Sequence, residues 1–126
     1  MRPRTLKEVA ELASQGESFD LCLHNFLDEF YSKPNAAALR AEPTKLAKLF
    51  PKKGMIQDAY LAAVAEKLAQ ENGFKAPLWA FNLKRKLKHP WFALPFNSLR
   101  AVLLVESPAA FRSRNLFVSE NALSRV

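Results

Sequence analysis

The segment from Met55 to Asn72 constrains the fold of this chain more than any other part of the sequence. Apolar residues recur along it at helical spacing, at Ile56, Tyr60, Leu61, Val64 and Leu68. Gly73 follows as a stop signal. Five alanines in the same segment leave room for other helices to approach closely. We therefore predict a long helix at the centre of the fold.

Two shorter helices are predicted ahead of it. Thr5 and Glu8 have the spacing of a capping box, and Gly16 ends the first apolar stripe. Ser18 can cap a second helix that continues to about Tyr31. The short connection predicts that the two helices form an antiparallel hairpin.

Prolines divide the rest of the chain into shorter pieces. Three of them between Lys33 and Gly54 predict short helices or turns in that stretch. A further helix is predicted from Pro77 to about His89. Ser98 is a candidate cap for the apolar segment Leu99 to Glu106, which fits either a helix or a buried strand.

The fold class that follows is all-α. After Ser107-Pro108 we expect one more helical turn, and then an extended segment from Asn115 to Val118. Residues 1–126 are thus predicted to form a compact single domain of about six or seven helices packed round the central one. The predicted core contains Phe26, Phe30, Tyr60, Val64, Trp79, Leu83, Leu103 and Phe111.

The sequence contains no recognisable catalytic, cofactor-binding or metal-binding pattern. Cys22 is the only cysteine, and at helical spacing it points away from His24, so the two do not form a nucleophile and base. No phosphate-binding glycine loop or zinc-binding motif occurs. No apolar run reaches membrane-spanning length. We expect a cytoplasmic protein that has no membrane segment and needs no cofactor.

The net charge of +7 is unevenly distributed. Up to Tyr31 there are six acidic residues against three basic ones, so the remainder of the chain is strongly basic. Such a field attracts either nucleic acid or an acidic partner protein, and it does not distinguish between them.

The most basic stretch falls on the predicted helix from Pro77 to His89. Helical spacing places Phe81, Lys84, Arg85 and Lys88 on one face. Together with Lys86 of the same basic run, they are the candidate nucleic-acid-binding residues. The alternative is an ordinary solvated face, whose long side chains cover the ring of Phe81.

A second candidate site lies at the C-terminal end, over residues 112–126. Its apolar residues are flanked by arginines, which gives Arg112, Arg114, Leu116, Phe117, Val118 and Arg125 as candidate partner-binding residues. The segment is either an interaction arm or a chain end packed on its own domain.

Several segments resemble a family of small uncharacterised bacterial proteins. The similarity lies in Phe19-Asp20, Asn25 to Asp28, Phe30-Tyr31, Pro90 to Phe92, Glu106 to Arg112 and the closing run Asn115 to Arg125. Members of that family are often encoded beside nucleotidyltransferase-like proteins, in pairs that suggest toxin–antitoxin modules. The resemblance implies a partner from an adjacent gene and transfers no active-site residue.

We therefore expect a non-enzymatic interaction protein, acting on a protein partner in the manner of an antitoxin or regulator. The alternative is a nucleic-acid-binding domain that uses the basic helix. A third possibility, an enzyme with an unfamiliar site, stays open because a partner chain can complete a half-formed site.

Overall fold

The computed structural model describes residues 2–94 and 97–125, with the backbone alone at positions 97 and 98. Six α-helices account for most of it: α1 (Leu6–Ser14), α2 (Phe19–Ser32), α3 (Ala37–Arg40), α4 (Pro51–Glu71), α5 (Asn97–Glu106) and α6 (Ala109–Arg112). Three 3₁₀ helices span Leu46–Lys48, Leu78–Phe81 and Leu83–Arg85, and two short strands are β1 (Trp91–Phe92) and β2 (Leu116–Phe117). The predicted mostly helical single domain is confirmed.

The α1–α2 hairpin forms as its caps predict. The Thr5 hydroxyl accepts a hydrogen bond from the Glu8 amide at 3.0 Å, and the Glu8 carboxylate accepts one from the Thr5 amide at 3.1 Å. Gly16 takes a φ of +102°, which side chains disfavour. The Ser18 hydroxyl then accepts from the Leu21 amide at 3.2 Å and starts α2.

Helix α4 lies at the centre, as predicted, and packs against α6, β2 and all three 3₁₀ helices. It begins at Pro51, four residues before the predicted start, because proline is well suited to the first helical turn. The Asp58 carboxylate accepts hydrogen bonds from the amides of Leu46 (2.7 Å) and Ala47 (3.1 Å). A Cβ atom at Gly54 would collide with the Leu46 carbonyl, so glycine permits this close packing.

The predicted helix from Pro77 to His89 is wrong. Asn82 has extended backbone angles (φ −63°, ψ 132°) and separates two 3₁₀ turns, while its side chain accepts a hydrogen bond from the Lys84 amide at 2.9 Å. Side chains therefore do not follow α-helical spacing here. Leu83 is 84% exposed, which contradicts its place in the predicted core.

The other predicted core residues point inward to different degrees. Trp79 and Tyr60 are partly buried and pack against the core. Fully or nearly fully buried are Phe26, Phe30, Val64, Leu103 and Phe111.

The C-terminal third combines a helix with a small parallel pairing. The helical interpretation of Leu99 to Glu106 is confirmed, although α5 begins one residue before the expected cap Ser98, whose side chain lies outside the described part. β1 and β2 pair in parallel, with Trp91 opposite Leu116. The extended segment predicted after Asn115 thereby forms β2. Among residues 2–94 and 97–125, no helix combines the length and apolar character needed to cross a membrane.

Candidate functional site

Arg85 does not lie on a basic surface. Its side chain is completely buried, and its guanidinium donates to the carbonyls of Pro43 at 2.5 Å and Asp58 at 3.3 Å. It also lies 3.4 Å from the Glu42 carboxylate and stacks over Trp79 at 4.9 Å from the ring centre. This arginine connects the α3–α4 region to the 3₁₀ turns, and its assignment as a nucleic-acid contact is wrong.

The remaining members of the predicted basic site stay at the surface in a different arrangement. Lys84, Lys86 and Lys88 are exposed and alternate with the buried Arg85 and Leu87. Lys84 lies in the 3₁₀ turn Leu83–Arg85 and Lys86 has extended backbone angles, so the three lysines do not share an α-helical face.

The aromatic residue of the predicted basic site, Phe81, lies next to Arg114 of the C-terminal segment. Phe81 is 54% exposed, and its ring lies 5.7 Å from the guanidinium carbon of Arg114. The Phe81 ring therefore has a cation of the C-terminal segment beside it.

Arg114, from the predicted interaction arm, is a structural residue. Only 5% of it is exposed, and its guanidinium donates to the Glu66 carboxylate at 2.6 Å. It also donates to the carbonyls of Ala110 (2.6 Å) and Ala80 (2.7 Å). These bonds connect α4, α6 and the first 3₁₀ turn after α4, so Arg114 is not free to bind a partner.

The apolar part of the predicted arm is packed on its own domain. Leu116 and Val118 are 0% and 1% exposed, and the Phe117 ring stacks on Phe92 with centroids 5.0 Å apart. The Ser107 hydroxyl accepts a hydrogen bond from the Val118 amide at 2.8 Å. The interpretation of this segment as a free arm is therefore corrected, because its apolar side chains complete the core.

Two arginines of that segment remain at the surface. Arg112 is exposed, and Arg125 contacts Asp28 of α2 at 2.9 Å. The hydrogen bond from Arg125 lowers the pKa of the Asp28 carboxyl. This ion pair connects the C-terminal segment to the α1–α2 hairpin. For the side chain of Arg112, the described part of the chain shows no comparable ion pair or hydrogen bond.

An apolar surface that the sequence did not single out lies on α5. We define the α5 surface as Leu99, Val102, Leu104 and Val105, which are 36%, 50%, 47% and 81% exposed. On the same helix Leu103 is 1% exposed and provides the inward contact. Helix α5 is thus apolar on its outer sides as well as on the side that meets the domain.

A cleft of 560 Å³ lies between α2, α4 and β1. Phe19, Ile56 and Trp91 contribute apolar walls, and Gln57 and Tyr60 of α4 supply polar groups. Burial, and secondly the nearby Asp20 carboxylate, raise the pKa of the Tyr60 phenol to about 12. The cleft therefore offers a protonated phenol and a carboxamide inside a mostly apolar enclosure.

The cleft is not predicted by the amino-acid sequence. Tyr60 is predicted from the sequence as a core residue, and Gln57, Asp20 and His24 join it only in the folded structure, where all four line the cleft. The signal in the sequence is the spacing of Gln57 and Tyr60, which lie about one turn apart on α4.

Cys22 is buried in the core, where loss of solvation raises the pKa of its thiol. In the described ranges, no three His, Cys, Asp or Glu side chains are grouped so that they could hold a metal ion. Comparisons of the chain with protein-family models, with curated proteins and with solved structures find no match.

Proposed function

We propose that this chain is a non-enzymatic interaction protein whose α5 surface docks on a partner protein. In agreement with the family resemblance, the partner is the product of an adjacent gene, and the chain acts on it as an antitoxin or regulator does. The observation that carries the proposal is the exposure of Val102 and Val105 beside Leu104 on a single helix.

The physical reason is that such a helix is poorly suited to water. A surface helix normally carries charged or polar residues on its outer face, whereas a helix that is apolar on all sides is normally buried. Between Leu99 and Glu106, Arg100 is the only basic residue, and Glu106 at the end of the helix is the only acidic one. Contiguous exposed apolar surface of this kind marks interaction sites in soluble proteins.

Charge indicates the chemistry of the partner. Arg100 lies beside the α5 surface with its guanidinium 4.9 Å from the Phe92 ring centre, and the chain has a net charge of +7. Complementary potentials increase association rates and specificity. We therefore infer an apolar docking face with an acidic rim on the partner.

Replacing Val102 and Val105 together by Asp is expected to abolish co-purification with the neighbouring gene product. Burial of each valine contributes about 1.5–3 kcal/mol, and an unpaired carboxylate in the interface adds a further penalty. We expect at least a hundredfold weaker binding by calorimetry. The isolated domain should keep its thermal midpoint, because both side chains are exposed.

The control for this double variant is Leu21→Asp, since Leu21 is 60% exposed and lies on a different helix, α2. It should bind the partner like the wild type. The proposal fails if the wild-type chain does not co-purify with the neighbouring product, or if the double variant binds it unchanged.

A second candidate function is nucleic-acid binding, and one observation favours it. Lys84, Lys86 and Lys88 are all exposed within five residues of sequence, and Phe81, three residues before Lys84, is 54% exposed. Ammonium groups this close in sequence can contact a phosphate backbone, and an exposed ring can stack on a base.

On this alternative, changing Lys84, Lys86 and Lys88 to Ala should lower the logarithmic salt slope of duplex binding by roughly 0.9 for each phosphate that the variant no longer neutralises. Phe81→Ala should weaken binding of single strands more than of duplex. Filter binding at several salt concentrations measures both effects.

The control triple variant replaces the exposed Lys7, Lys33 and Lys52 by Ala and therefore changes the net charge by the same amount. If both triple variants lower the affinity equally, the effect is that of overall charge. If the wild type has no affinity for nucleic acid at low salt, Lys84, Lys86 and Lys88 belong to an ordinary solvated surface.

A further inference from the structure

Gln57 is a buried polar residue that the fold does not satisfy. It is 7% exposed on α4, and its Oε1 atom is buried and has no hydrogen-bond partner among the residues that the structure describes. A buried acceptor left unpaired costs about 1–3 kcal/mol, and most such groups in native proteins are paired. A leucine of similar volume would fill the same space without this cost. The stability of the fold therefore does not explain why a carboxamide occupies this position.

The position of Gln57 suggests a reason. Its side chain lines the cleft between α2, α4 and β1, and Tyr60 lines it one helical turn further on. Since burial raises the pKa of Tyr60 to about 12, its hydroxyl stays protonated near neutral pH and can donate a hydrogen bond. The carboxamide of Gln57 offers both donors and an acceptor, and rotation about its last bond exchanges their positions.

The walls of the cleft are suited to a flat apolar body. Trp91 and Ile56 contribute to them, and Phe19 meets the Tyr60 ring edge to face with centroids 6.3 Å apart. Flat aromatic surfaces favour stacked or edge-on aromatic partners. The volume of 560 Å³ falls in the range of small-molecule sites, which are mostly apolar with a few placed polar groups.

The charges around the cleft are balanced. Asp20 on α2 and Lys53 in the first turns of α4 both line it and have opposite signs, and His24, which also lines it, is counted as neutral at pH 7. This arrangement gives no net preference for an anion or a cation, unlike the excess of one sign that binds ionic ligands.

We propose that this cleft binds a small, uncharged, planar molecule that carries an amide-like edge, such as an aromatic carboxamide, a lactam or a nucleobase. The Gln57 carboxamide hydrogen-bonds one group of that edge through the terminal atom that faces the cleft, and the Tyr60 hydroxyl donates to the carbonyl. The ring lies against the aromatic walls. This inference is independent of the α5 surface and of the protein partner.

Titration of the ¹⁵N-labelled full chain with benzamide and with uracil tests the inference. The chain has two tryptophans, and their indole signals are separate reporters. Trp91 lines the cleft, whereas the Trp79 indole donates to the Leu39 carbonyl at 3.0 Å. We expect at least one of the two probes to shift the Trp91 signal in a saturable manner and leave the Trp79 signal unchanged.

Two further compounds define the ligand class. Toluene has a ring without the amide edge, and benzoate has a ring with a negative charge. Both should bind at least tenfold more weakly than the better amide probe. If neither benzamide nor uracil moves the Trp91 signal, or if toluene binds as tightly as they do, the proposal is overturned.

The Gln57→Leu variant separates recognition from folding. It should bind the amide probe at least tenfold more weakly and melt at the same or a higher temperature, because it removes the unpaired acceptor. Gln70→Leu on the exposed end of the same helix is the control and should bind normally. Unchanged binding by Gln57→Leu would overturn the proposal.

Tyr60→Phe provides a second, independent variant. It removes the hydroxyl and keeps the ring between Phe19 and Phe111. Weaker binding of the amide probe by this variant supports the proposal even if Gln57→Leu does not fold. Equal binding by Tyr60→Phe and the wild type contradicts the role given to the phenol and overturns the site as described.

Discussion

Deletion of residues 115–126 is expected to unfold the domain. The segment contributes Leu116, Val118 and Leu123 to the core, at 0%, 1% and 3% exposure. Burial of one such side chain contributes about 1.5–3 kcal/mol, and a whole domain is stable by only about 5–15 kcal/mol. The deletion also removes β2 and exposes the partner faces of β1 and α6.

Circular dichroism melting of the full chain and of the truncated chain measures this effect. The control truncation ends at Leu123 and keeps the Tyr31 hydroxyl bonded to the Leu123 carbonyl at 2.8 Å. It loses the pair between Arg125 and Asp28, whose side chains are 35% and 33% exposed. Solvent-exposed ion pairs of this kind contribute little to stability, so the control should fold.

A cooperative melt of chain 1–114 at the full-length temperature would restore the segment as a free interaction arm. Insoluble or unfolded 1–114 beside a folded control would show that the segment is structural. The two truncations differ mainly in the buried apolar residues, so the comparison isolates the contribution of the core.

The parts of the fold that sequence predicted correctly depend on local interactions. The capping box of Thr5 and Glu8, the cap at Ser18 and the stop at Gly16 lie within a few residues of the groups they satisfy. Helix α4 is long enough for its apolar spacing to be unambiguous. Its central place follows because its small alanines allow close approach from several sides.

The predicted helix over 77–89 failed because its apolar and basic spacing was ambiguous. The side chain of Asn82 can interrupt a helix by accepting a hydrogen bond from a nearby backbone amide. In the structure it accepts one from the Lys84 amide, and the backbone at Asn82 is extended and not helical. The partners of Arg85 lie in other segments, on Glu42, Pro43 and Asp58. No pattern within the basic run distinguishes an arginine that points inward from its neighbours that point outward.

Both candidate sites found in the structure depend on which surfaces the fold leaves uncovered. The α5 sequence predicts a core element, and only its placement shows that Val105 is 81% exposed. The cleft brings together α2, α4 and β1, with Asp20, Gln57 and Trp91 far apart in sequence. Tertiary packing brings these residues together, and the spacing of apolar residues along one segment does not predict it.

Arg85→Ala is expected to destabilise the domain by about 3–5 kcal/mol, which is the usual cost of removing one partner from a buried polar network or a large side chain from a core. The change leaves the carbonyls of Pro43 and Asp58 without their donor and opens a void beside Trp79. Removal of a buried charge opposes this loss, and within the described part of the chain the Nε atom of Arg85 has no hydrogen-bond partner. Two orphaned carbonyls and a void outweigh that gain.

Urea unfolding followed by tryptophan fluorescence measures the loss, since Trp79 lies 4.9 Å from the guanidinium. Lys86→Ala, the exposed neighbour, is the matched control and should change the free energy of unfolding by less than about 0.5 kcal/mol. Arg85→Met, which keeps most of the volume, should fall between the two. If Arg85→Ala is as stable as the wild type and instead weakens nucleic-acid binding, Arg85 points outward, and the helical basic face predicted from the sequence is correct.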